Sequence, residues 1–253
     1  DRCVRLIASR IDHNSLSENT MKSVIYTLVV VFILSNLLLR GKDEGSEPSY
    51  NGRTLKSWFT DLGPLYLHME THVYERSDQA KVAFQKMGPD SIPYILPYIA
   101  NEASHVNQDR AQRAFWGLGE LAAPAIPELS KRFLQRENPV SSAGSALGGI
   151  GTEEAILPLL QGLKHDDYGV RKCAISALGS MGKKAGETIP AIIESTKDED
   201  ERVRHEAVVA LSNIKSRPDL SVPALIKCLT DPEPYVWEQT IRALREFGTD
   251  AKA

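Results

Sequence analysis

The chain has 253 residues, 42% apolar and 25% charged, with a formal net charge of −3. That composition excludes a disordered chain and lacks the basic excess of an electrostatic nucleic-acid binder. The three cysteines (Cys3, Cys173 and Cys228) form no C-x-x-C pair; this gives no support for a zinc knuckle or redox pair, and Cys173 and Cys228 read as small core residues.

Residues 1–20 show no periodicity, and Met21 looks like a natural start, so they read as a leader outside the working protein. Residues 24–39 are apolar apart from Thr27, Ser35 and Asn36. As a helix, residues 21–39 span about 28 Å, close to the ~30 Å of a hydrocarbon core. Residues 21–40 are therefore expected to be a single transmembrane anchor at the N-terminus. A cleaved secretory signal is the alternative, and a buried helix is a third. Lys22 on one side and Arg40 and Lys42 on the other leave the orientation open.

Residues 41–76 read as a tether followed by an N-terminal cap. Asn51-Gly52 signals a turn and Thr54 a helix N-cap. Leu55, Trp58, Phe59 and Leu62 then fall at i, i+3, i+4 and i+7, giving one apolar face. This helix is expected to close the end of a stack, with Trp58 in its core. His68 and His72 stand at i and i+4, but Glu70 is misplaced for H-E-x-x-H and no third ligand is near. They read as surface histidines.

Residues 77–253 are organised around Ala177-Leu178-Gly179-Ser180-Met181-Gly182. Degraded copies begin at Ala83, Ala114, Ala146, Ala210 and Ala243, with leading alanines 31, 32, 31, 33 and 33 residues apart. A fixed period of this size marks a stacked-repeat architecture. Each unit reads as two helices. The first ends in the motif, where glycine terminates a helix at little cost. The second carries aliphatics and an early proline, at Pro93, Pro127, Pro190 and Pro223. Pro97 lies deeper and predicts a short or kinked helix there, while Pro124 and Pro218 are placed in loops. Acidic turns precede Val170-Arg171 and Val203-Arg204. They read as helix caps, with the arginine reaching an acidic turn of its own or the adjoining unit. The small-residue run 141–151 follows no strand and lacks the closing Lys-Ser/Thr of a phosphate loop, so close helix packing accounts for it.

The pattern Asp-x-x-x-x-Val-Arg-x-x-Ala-x-x-Ala-Leu-Gly-x-Met-Gly, then Ile-Pro-x-Ile, over residues 166–193 resembles the HEAT-repeat superfamily. The layout with its N-terminal apolar segment is similar to bacterial membrane-anchored or exported members. The resemblance implies an all-α, right-handed α-α superhelix of about six helical hairpins that binds other macromolecules. The array stops at Ala253 just after the first helix of its sixth unit, so the natural chain is expected either to continue or to use that helix as its cap.

Two relatives in this superfamily carry or assist chemistry. Deoxyhypusine hydroxylases hold two irons with several His-Glu pairs. Arg204-His205-Glu206-Ala207 resembles one pair, but the matching positions are Asp109-Arg110, Ser141-Ser142, Lys172-Cys173 and Glu238-Gln239. Phycobilisome-lyase-like members assist pigment attachment, and nothing in the chain specifies a pigment pocket. An enzyme or enzyme-assisting module is thus the alternative to a non-enzymatic scaffold. No catalytic residue, metal or cofactor is expected, nor a nucleic acid or small-molecule substrate. The expected partner is a protein or peptide on the concave face. Lys131, Arg132, Lys164, Lys197 and Lys227, near the C-terminal ends of the second helices, are the candidate contacts. They form either a basic row reading an acidic polymer or simple complements to helix dipoles.

Overall fold

A computed structural model describes residues 47–62, 71–99, 103–136 and 140–248, with side chains in the second helix described from residue 77. The chain divides into two units, 1–47 and 48–253, and the fold below is that of the second. The anchor expected at residues 21–40 lies outside the described residues. Among the described residues, no helix is long and apolar enough to cross a membrane.

The unit opens with a two-stranded antiparallel hairpin, β1 (Ser49–Tyr50) and β2 (Arg53–Thr54). Helix α1 (Leu55–Asp61) follows directly, and the Thr54 side chain accepts from the Ser57 amide as its N-cap. Leu55, Trp58, Phe59 and Leu62 are all buried, worth roughly 1.5–3 kcal/mol for each large side chain. The Trp58 indole donates to the Tyr50 carbonyl at 3.0 Å. Arg53 lies 3.8 Å above the Trp58 ring and bonds Asp61 at 2.7 Å. The hairpin is thereby folded onto the helix, and α1 packs on the first elements of the array as an end cap.

Eleven helices follow among the described residues: α2 (Thr71–Met87), α3 (Ile92–Ile95), α4 (His105–Leu118), α5 (Ile126–Leu134), α6 (Val140–Ile150), α7 (Glu153–Gly162), α8 (Tyr168–Ser180), α9 (Ile189–Ser195), α10 (Glu201–Ile214), α11 (Pro218–Cys228) and α12 (Pro234–Phe247). The even-numbered helices form one layer, each packing on the next in line: α2 on α4, then α6, α8, α10 and α12. The odd-numbered helices from α3 form the second layer, packed on the first. The leading alanines of all six motif copies are buried between helices of the first layer. Side chains this small let adjacent backbones approach closely.

The motif ends each first helix as expected. Gly182 takes φ +57°, and Gly88, Gly119, Gly151 and Gly248 do likewise. In the copy that lacks this glycine, Lys215 adopts φ +46° in the same place, so the fold imposes the conformation even where the residue resists it.

Several boundaries differ from expectation. Helix α2 begins at Thr71, before the predicted start of the array at residue 77. Pro218 is the first residue of α11 rather than a loop residue, and Pro223 therefore sits inside that helix. A proline in the first turn has no helical partner to lose, which makes Pro218 a natural start. Pro124 falls in the 3-10 segment Gly119–Ala125. The predicted short helix at Pro97 is present: α3 has four residues and gives way to a 3-10 turn, Leu96–Ile99.

Candidate interaction surfaces

The charged turns between units are structural. Asp167 caps α8, accepting from Gly169 and Val170, and Asp200 caps α10, accepting from Arg202. Arg171 reaches forward one unit and bonds both oxygens of Asp198, each at 2.8 Å. Its remaining Nη1 donates to the carbonyls of His165 and Asp166. Arg204 repeats the arrangement on Asp231, at 2.7 and 3.0 Å, and on the carbonyl of Asp198. Paired, fork-shaped bonding of this kind needs arginine rather than lysine. Burial opposes ionisation of Asp231, but bonds from Arg204 and the Glu233 amide outweigh it and hold the carboxyl below its usual range.

The first layer carries a groove over α6. Apart from Val140 at its start, that helix leaves only Ser141, Ser145 and Gly149 unburied, so it lies recessed between α4 and α8. The groove encloses about 310 Å³. Gln112, Arg113 and Trp116 of α4 form one wall; Cys173, Ser176 and Ser180 of α8 form the other. Trp116 is 50% exposed. It lies across Gly149, where a Cβ would overlap the indole, and its Nε1 donates to the Ser145 carbonyl at 2.8 Å. The α4 wall is fixed by bonds from Gln112 to Ser142 and from Arg113 to Ser77. The hydroxyls of Ser141, Ser145 and Ser176 make no bond to a described residue. Burial raises the Cys173 thiol to about 11, so it stays protonated at neutral pH.

Trp116 lies outside the predicted contact set, yet it has a sequence signal. It occupies the motif position held by Gly148, Gly179 and Ser212 in the next three copies, all of them buried. An indole cannot enter that helix crossing, so it must lie on the surface.

The five predicted contacts fall at the C-terminal ends of second-layer helices. Lys131 and Arg132 lie in the last turn of α5, Lys227 in that of α11, and Lys164 and Lys197 just beyond α7 and α9. Arg132 pairs with Glu128 and Lys197 with Glu194. The acidic turns begin only a residue or two after Lys164 and Lys197, so positive and negative groups alternate along this edge. His205 is half-buried, its ring 5.4 Å from that of Tyr235, and burial lowers its pKa. His68 and the side chain of His72 lie outside the described residues. Among the described residues, no three His, Cys, Asp or Glu gather as metal ligands. Cys173 and Cys228 are both free thiols; Cys228 is buried, and Cys173 is partly so.

No curated protein matches the sequence. Among solved structures, human deoxyhypusine hydroxylase in complex with glycerol is similar at 20% identity over 76% of this chain and 73% of its own, TM-score 0.42. A designed armadillo repeat protein in complex with a (KR)4 peptide is similar at 19% identity over 76% and 99%, TM-score 0.40. The phycocyanin lyase complex from Nostoc sp. is similar at 18% identity over 81% and 98%, TM-score 0.36. The family described as HEAT repeats matches residues 140–212 and 183–245. Those residues are the helices α6 to α12 whose stacking and arginine pairs are given above, and the chain is a HEAT-repeat superfamily protein.

Proposed function

We propose that this chain is a non-enzymatic interaction scaffold that binds a protein or peptide segment, tethered to a membrane through residues 21–40. The groove over α6 carries the reading. It is open, its walls belong to two flanking units and its floor to the unit between, and it presents the half-exposed ring of Trp116. At about 310 Å³ the groove stands at the lower limit of small-molecule sites. An aromatic anchor on a broad surface is the form taken by hot spots of macromolecular interfaces. Stacked repeats supply such surfaces because adjacent units present equivalent positions side by side. The basic residues of the second layer are the competing contact, one that would take an acidic segment. The acidic turns beside them weaken the local field, and salt screens what remains.

Crosslinking in the native membrane tests the reading, with a photoreactive residue at position 176 in the groove or at position 164 in the basic row. The groove reading expects a discrete adduct from position 176 that Trp116→Ala abolishes. Absence of that adduct overturns it. An adduct from position 164 alone moves the contact to the basic row, and replacing Lys131, Lys164 and Lys197 together with Glu should then remove it. Recovery of the full-length chain in the soluble fraction without detergent overturns the tether.

A further inference from the structure

We draw no further inference here: the strongest candidate, the exposed apolar side chains of Ile226 on α11, Leu229 at its C-cap and Ile241 on α12, is an unpartnered apolar surface, and nothing in the structure shows what covers it.

Discussion

Two kinds of glycine serve this fold, and they should fail differently. Gly149 is needed for space: any Cβ there meets the Trp116 indole. Gly149→Ala should therefore destabilise by about 1–3 kcal/mol through overpacking. In a Trp116→Ala background the same change should cost almost nothing, because alanine is otherwise the better helix residue. Urea midpoints of the four proteins in this cycle measure the coupling directly; additive effects would mean that the ring does not rest on Gly149. Gly182 is needed for its backbone. With nothing within 4 Å of its Cβ position and φ at +57°, Gly182→Ala should cost roughly 1–2 kcal/mol from left-handed strain alone. Lys215→Gly should show that same contribution with the opposite sign and raise the midpoint. Its exposed pair with Glu246 is lost in the exchange, but pairs at that exposure hold little stability.

Between elements, the forward-reaching arginines act as staples, and Asp231 is the better buried of their two carboxylates. Removing the guanidinium strands a nearly inaccessible carboxylate, so Arg204→Gln should cost about 2–3 kcal/mol at neutral pH, somewhat below the loss for a fully interior pair. The pH dependence follows from the depressed pKa of Asp231. The staple's contribution is complete above the unfolded carboxylate range, near pH 4, and is lost as pH falls through the lower folded value. Without Arg204, burial would be opposed chiefly by the Glu233 amide, the folded pKa would rise, and stability should begin to fall at a higher pH than in the native chain. Urea titrations at pH 7, 5 and 4 separate these cases; parallel curves would show that Asp231 does not depend on Arg204. Both arginines were legible in the sequence as an acidic turn followed by Val-Arg at one period, but the spacing left open whether each reached its own turn or the next, and the packing of adjacent units decides for the next. The α1 cap was legible too, since four apolar residues at helical spacing can bury only one face. The starts of α2 and α11 were not. A first-turn proline such as Pro218 looks the same in a loop as in a helix, and only packing decides. The groove was illegible for a related reason: it consists of what α6 lacks, and a missing side chain shows as a groove only once its neighbours are placed.

At the scale of the whole array, the layers join each unit chiefly to the units before and after it. Stability should then be a sum of unit and neighbour terms rather than one cooperative quantity, and damage should have a direction. The α1 cap closes one end through Leu55, Trp58, Phe59 and Leu62. At the other end, Ile241 is 37% exposed. One and two repeats earlier, at the same place in the period, Val208 and Ile175 are fully buried. The described array is therefore most weakly held near α12. Breaking the staple from Arg204 to Asp231 should free α12 and loosen α11, leaving α4 to α8 protected. Breaking the earlier one with Arg171→Gln should extend the loss back to α9 and α10, because Asp198 holds the turn that leads into α10. Hydrogen exchange resolved by peptide measures this, as opening energies that fall stepwise along the chain. If both variants lower protection equally from α2 to α12, the stack unfolds as one two-state body, and the nearest-neighbour description is wrong.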